Sequence, residues 1–219
     1  MSDLRIKICG ITNEADGRQA ALLGADAVGL NFYARSPRCI DVATAASILR
    51  ELPPFVDAVG LFVNLPLRQV REAIKPLDRI RTVQWYGDVH EPGDPSPYQL
   101  IAAFSVRAPD DLQGIARYLD RCRSLERLPA AVLVDAHVAG QYGGTGQTAP
   151  WELLADFRPG IPVILAGGLT AENVALAVRI VGPYAVDVAS GVELSPGRKD
   201  PAKMRRFIDS AREAAAKYS

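Results

Sequence analysis

Eight short apolar runs, most of them rich in β-branched residues, recur at 6–9, 27–32, 58–63, 82–85, 100–106, 131–135, 162–166 and 185–189. Such runs predict strands. Within each run apolar residues follow one another instead of alternating with polar ones. That fits strands covered on both faces, as in a parallel sheet, better than the half-wetted strands of an antiparallel one.

Between the runs the spacing changes to i, i+3, i+4, i+7, which predicts helices. It is carried by Ala45, Ile48, Leu49 and Leu52, by Val70, Ala73, Ile74 and Leu77, and by Leu112, Ile115, Ala116 and Leu119. It returns in Val174, Ala177, Val178 and Val181, then in Met204, Phe207, Ile208 and Ala211. End signals agree: Gly24 suits the stop of the first helix, Thr170 a cap, and Asp200-Pro201 the cap and first turn of the last helix. The stretch 87–98 carries Pro92, Gly93, Pro95 and Pro97. These forbid a regular helix, so the fourth crossover is expected to be a loop, its helix degenerate or absent.

Eight strands alternating with helices predict an α/β chain. An open doubly wound sheet uses the same units, but 219 residues leave little spare chain, and glycine-rich turns follow the late strands. A parallel eight-stranded (β/α)8 TIM barrel uses about 200 to 250 residues as one unit, so a single barrel domain over 1–219 is expected.

Composition narrows the function classes. A 48% hydrophobic, 23% charged chain is neither disordered nor fibrous. Lys plus Arg equals Asp plus Glu at 25 each, so no net field draws it to nucleic acid or an anionic membrane, and neither partner is expected. No run approaches the roughly 18 apolar residues of a membrane span, and the first residues lack the apolar stretch of a signal peptide. A cytoplasmic protein is expected. Cys9, Cys39 and Cys122 are odd in number and lack C-x-x-C spacing, which argues for free thiols over a disulfide framework or zinc site. Asp135 with His137 would be two metal ligands, but the other histidine, His90, falls in the irregular stretch, so no metal is expected.

Two strands end on chemistry. Cys9 closes the first and Asp135 the sixth, and the carboxyl ends of barrel strands carry the active face. A free thiol has a pKa of about 8.5 and needs a favourable site to act as thiolate. Lys7 shares its strand face by alternation. The bland alternative for Cys9 is a small buried hydrophobe. Burial would raise the Asp135 carboxyl pKa as a general acid requires, while a turn aspartate is the alternative. Backbone N–H groups of Gly167-Gly168 and Ser190-Gly191, after strands seven and eight, are candidates for a phosphate cradle, with Gly144 and Gly146 on its rim. Each pair alone reads first as a tight turn; it is two such turns after the last two strands of a barrel that favour the cradle. The G-x-G-x-x-A string at 144–149 runs into Pro150 instead of a helix, and Gln147 stands where a nucleotide loop needs lysine, so no dinucleotide or nucleotide cofactor is expected.

Several strings, in order along essentially the whole chain, carry a resemblance: Lys7-Ile-Cys-Gly-Ile-Thr12, Asn31-Phe-Tyr-Ala-Arg-Ser-Pro-Arg38, Val59-Gly-Leu-Phe-Val-Asn64, Val83-Gln84, Gly143-Gly-Thr-Gly146, Ile164-Leu-Ala-Gly-Gly-Leu169, Val186-Asp-Val-Ala-Ser-Gly-Val-Glu193 and Ser195-Pro-Gly-Arg-Lys-Asp200. The chain resembles the phosphoribosylanthranilate isomerases of tryptophan biosynthesis. The resemblance implies an Amadori rearrangement of N-(5-phosphoribosyl)anthranilate to the 1-deoxyribulose phosphate, without cofactor. It implies Cys9 as general base, Asp135 as general acid, Arg38 on the anthranilate carboxylate, Asp187 on a sugar hydroxyl, and Gln84 among the substrate-binding residues. Family members commonly carry histidine soon after the glutamine of strand four; here Tyr86 follows Gln84, able to donate and stack but not to carry charge near neutral pH.

Rival readings are another phosphosugar isomerase of the same fold and a phosphate-binding barrel that serves as a scaffold without turnover. Indoleglycerol-phosphate synthase would need a catalytic lysine and extra N-terminal helices, and the histidine-pathway isomerase pairs two aspartates where Cys9 stands. The expected partner is a small phosphosugar, and the apolar pattern fits a monomer or a homodimer alike.

Overall fold

In the structure, a computed structural model that describes residues 4–87, 93–136 and 151–217, eight parallel strands close on themselves. They are β1 (Arg5–Cys9), β2 (Ala27–Asn31), β3 (Asp57–Val63), β4 (Ile80–Tyr86), β5 (Gln99–Ser105), β6 (Ala131–Asp135), β7 (Val163–Ala166) and β8 (Ala185–Val188). β8 pairs back onto β1 and closes the ring, with Lys7 beside Asp187 in the register. Six α-helices accompany them among the described residues: α1 (Glu14–Leu22), α2 (Val42–Glu51), α3 (Leu67–Ile74), α4 (Pro109–Ser124), α5 (Val174–Val181) and α6 (Pro201–Ala216).

The continuous apolar runs have their cause in this architecture. Along each strand one set of residues points outward under the helices and the other points into the barrel. Outward, Ile6, Ile8, Val28 and Leu30 join Ala20, Ile48, Phe207 and Ile208 in the main core. Inward, Val59, Ile101, Leu133 and Ile164 pack with small alanines as a separate plug. The plug leaves the upper end of the barrel for polar side chains.

Helix ends follow their signals closely. Gly24 has a φ of 97°, a conformation that a Cβ disfavours, just past α1. Asp200 accepts from the N–H groups of Ala202 and Lys203, and Pro201 opens α6. Thr170 was expected to cap α5, but that helix starts at Val174. Instead the Asn173 side chain accepts the Thr170 N–H and the Thr170 carbonyl accepts the N–H of Val174, so the cap is a turn preceding the helix.

Residues 93–98 of the fourth crossover contain no helix, as the prolines dictate. In the sixth crossover the described residues add only a single 3-10 turn, Trp151–Leu154. A further 3-10 turn, Ser190–Val192, follows β8 and leads into a small antiparallel hairpin of β9 (Glu193–Ser195) and β10 (Arg198–Lys199). The hairpin is missing from the apolar pattern because its residues are mostly polar and its strands are two or three residues long.

Candidate active site

A cavity of about 270 Å³ opens at the carboxyl mouth of the barrel, and both Cys9 and Asp135 line it. With them are Arg38, Gln84, Tyr86, Gly167, Gly168, Asp187 and Ser190. Asn31 belongs to the same wall and was not singled out from sequence. The positions come from eight-fold topology: strands distant in sequence end on one ring, and inward-facing residues at their last positions meet over the plug. Gly144 and Gly146 lie outside the described residues.

The floor of the cavity is a closed polar network. The Lys7 ammonium donates to Asp187 Oδ1 at 2.9 Å and to Gln84 Oε1 at 2.8 Å, all three side chains being buried. Cys9 follows two residues later on the same inward face of β1, close enough for the lysine charge to act on its sulfur. Burial works to lower the Lys7 pKa, but the Asp187 carboxylate and Cys9 outweigh it and the lysine stays charged. Burial pushes the Cys9 thiol up, with Asp187 adding to the rise while Lys7 and Lys199 oppose it. Burial together with Asp135, Asp187 and Cys9 drives the Tyr86 pKa far above the usual range, against the opposing effect of the Gln84 side chain. Tyr86 is a neutral hydrogen-bonding wall of the cavity.

Glycine is required beside the thiol. A Cβ on Gly29 would fall 2.6 Å from Cys9 Sγ and 3.0 Å from its Cα, so β2 carries no side chain where it passes Cys9. Gly167 and Gly168, with φ of 93° and 63°, turn the chain sharply after β7. A Cβ on Gly191 would meet the Leu169 carbonyl oxygen at 2.0 Å. The turn after β7 and the turn after β8 are therefore pressed together, backbone against backbone. The chain that leaves β8 makes a three-residue 3-10 turn that starts at Ser190.

Arg38 reaches the cavity already paired. Its Nε and Nη2 donate to the two Glu193 oxygens at 2.8 and 2.6 Å, a fork-to-fork ion pair. Lys199 donates to Glu193 Oε1 at 2.9 Å and to the Ala189 carbonyl at 3.1 Å. Burial pushes the Glu193 carboxyl up, but the bonds from Arg38 and Lys199 prevail and hold it below its ordinary value. Two hydrogen bonds to Glu193 leave three of the five guanidinium protons outside the pair. Arg38 can thus be held by one carboxylate and still face another. The Glu193 and Lys199 roles escaped the sequence reading, although both lie in strings that carried the resemblance. Arg38 and Glu193 are 155 positions apart, and no periodicity signals such a pairing.

A larger hollow of about 560 Å³ sits elsewhere, lined by Leu4, Val163, Val178 and Tyr184 near the amino ends of β7 and β8. It has none of the thiol, lysine and carboxylate groups of the mouth, and its position is opposite the catalytic face. Among the described residues no group of three or more His, Cys, Asp or Glu side chains could hold a metal ion.

Fold and site together define a (β/α)8-barrel enzyme of the kind that places acid, base and anion-binding groups at the carboxyl mouth. Residues 6–210 match the family described as N-(5'phosphoribosyl)anthranilate (PRA) isomerase, and the chain belongs to that family. A relative of that name from Pseudomonas putida (strain W619) is 46% identical over 219 residues, covering 98% of this chain and 100% of its own. The phosphoribosyl anthranilate isomerase crystal structure from Thermotoga maritima superposes with a TM-score of 0.83 at 36% identity, covering 96% of this chain and 99% of that one. Another crystal structure of this isomerase, in complex with reduced 1-(o-carboxyphenylamino)-1-deoxyribulose 5-phosphate, gives a TM-score of 0.80 at 34% identity over 96% and 99% of the two chains.

Proposed function

We propose that this chain converts N-(5'-phosphoribosyl)anthranilate to 1-(2-carboxyphenylamino)-1-deoxyribulose 5-phosphate, with Asp135 as general acid and Cys9 as general base. The observation that carries the assignment is that both side chains line one cavity at the carboxyl mouth, although they lie on β1 and β6. The rearrangement proceeds by proton transfers alone, C2 being oxidised as C1 is reduced, with no net redox change. Asp135 gives a proton to the furanose ring oxygen, the C1–O bond breaks, and the nitrogen lone pair forms a Schiff base. The Cys9 thiolate then takes the proton from the neighbouring carbon, and the electron pair left behind neutralises the iminium as an enolamine. Tautomerisation to the ketone completes the change.

Binding groups follow from the same geometry. Backbone N–H groups of the two abutting turns, Gly167-Gly168 and Ser190-Gly191, cradle the phosphate. Arg38, held by Glu193, turns its remaining protons to the anthranilate carboxylate. Gln84 and Asp187 shape the floor under the sugar through Lys7. The relative whose crystal structure contains the reduced product analogue supports a substrate with a sugar phosphate at one end and a carboxyphenyl group at the other.

The direct test follows the fluorescence of freshly generated phosphoribosylanthranilate on addition of purified protein. Loss of fluorescence faster than the spontaneous decay is expected. Binding without loss would place the chain among phosphate-binding scaffolds instead.

A further inference from the structure

We propose that Lys7 is a positioning residue for the base: its ammonium, held next to Cys9 on the inward face of β1, supplies the positive charge against which the thiolate forms. The inference rests on the reading of Cys9 as the base and extends it to how a buried thiol reaches its reactive form.

The argument begins with the placement of charge around the sulfur. Cys9 is 7% exposed on the barrel wall, where an anion is poorly solvated. The groups that face it come from every side. Lys7 is on the same strand, Asp187 on β8 and Asp135 on β6, with the neutral Gln84 and Tyr86 on β4. Arg38 lies on the loop after β2, with Glu193 and Lys199 on the hairpin after β8. On β2, Gly29 adds no charge or bulk.

Of the three cations, two are occupied elsewhere. Arg38 and Lys199 both spend their closest bonds on Glu193. Lys7 is the one that shares the inward face of β1 with Cys9, two residues away. Its pairing with Asp187 is fixed by the strand register, since Lys7 and Asp187 are neighbours where β1 and β8 close the barrel. Its second bond, to Gln84 across the barrel, removes the remaining freedom of a long side chain. A lysine so held is an expensive feature to build into a core unless it acts, because a buried ion pair adds little net stability over apolar packing.

Asp187 has the opposite effect on the sulfur. It keeps Lys7 charged while its own negative charge opposes the thiolate. The pair is therefore a balance in which the lysine acts on the sulfur more strongly than the carboxylate, and removing both should leave the thiol harder to ionise than in the intact protein.

The experiment measures the pH dependence of Cys9 alkylation by iodoacetamide, with the modified peptide quantified by mass spectrometry so that the exposed Cys39 does not interfere. In Lys7→Met the midpoint should rise by about one pH unit or more, a tenfold smaller thiolate fraction at a given pH. Lys7→Met leaves Asp187 buried and unpaired and risks unfolding. The double variant Lys7→Met/Asp187→Asn removes both charges and keeps the test intact, with the same upward direction expected. A midpoint in the double variant within a few tenths of a unit of wild type overturns the proposal. Alkylation reports on the thiol without turnover, so the two readings separate. A shifted midpoint with full turnover in Cys9→Ser would uphold the role of Lys7 and remove Cys9 as the base.

Discussion

At the scale of single residues, the site depends on what stands next to a sulfur and a carboxylate. Loss of a general acid or base removes about a hundredfold to ten-thousandfold in rate. Cys9→Ser and Asp135→Asn should each lower kcat by at least about a hundredfold, with circular dichroism and thermal midpoint near wild type; near-normal turnover in either would strip that residue of its role. A subtler expectation concerns Gly29. A methyl there would sit 2.6 Å from the Cys9 sulfur, and the backbone of Cys9 at 3.0 Å leaves no room for both strands to keep their register undisturbed. Overpacking of this kind costs about 1–3 kcal/mol. Gly29→Ala should therefore fold, melt a few degrees lower and lose at least about tenfold in kcat, because the thiol must swing away from its position. Steady-state kinetics beside a thermal melt checks this, and unchanged kcat would show that the sulfur tolerates displacement. Cys9 and Asp135 were legible in the sequence because each is an ionisable side chain at the end of an apolar run. Glu193 was not, since its partner Arg38 comes from a distant loop and only the closed fold brings the two together.

At the scale of elements, the β9–β10 hairpin is the part that no hydrophobic period announced, and it organises one side of the mouth. Glu193 starts it, Lys199 ends it, and the Gly197 carbonyl at its tip accepts a bond from the Thr12 hydroxyl beyond β1. The strands, by contrast, were legible almost to the residue. A strand inside a barrel is largely apolar on both faces; exposed positions such as Arg5, Asp57 and Gln99 break the pattern, as do Lys7, Gln84 and Asp187 where they turn towards the cavity. The hairpin's chemistry has a pH signature with a definite sign. The Glu193 carboxyl titrates below its ordinary 4.5 in the folded protein. In the window between the folded and ordinary values, the unfolded chain binds a proton that the folded one does not. Stability from Glu193 is thus fully present above about pH 5 and lost as pH falls through the folded value. Urea unfolding between pH 6 and pH 3 should show the gap between wild type and Glu193→Gln shrinking as the solution is acidified. The same variant should raise KM for phosphoribosylanthranilate more than it lowers kcat, since Arg38 loses the fork that aims it. A gap that stays constant with pH, or a KM that does not move, would remove Glu193 from this role.

At the scale of the whole molecule, closure of the ring is what brings two ordinary glycine turns together as the proposed phosphate cradle. β7 and β8 are adjacent, so the turns that leave them must pass side by side, and the 2.0 Å approach of a Gly191 Cβ to the Leu169 oxygen shows that only a bare backbone fits. Anything that binds this cradle in the folded barrel and not in the open chain stabilises the whole fold by mass action. Inorganic phosphate is the minimal probe. At ten times its dissociation constant it should add about 1.4 kcal/mol. For a chain of this length that corresponds to a rise of about 3 to 5 °C in the melting temperature. Potassium chloride at matched ionic strength should not reproduce the rise, because screening alone does not fill a site. Cys9→Ser leaves the cradle untouched and should keep the full increment. Gly191→Ala forces the two turns apart and should lose most of it, along with a large increase in KM for the phosphorylated substrate. If Gly191→Ala gains as many degrees from phosphate as wild type, the anion is held somewhere other than the junction of these two strands.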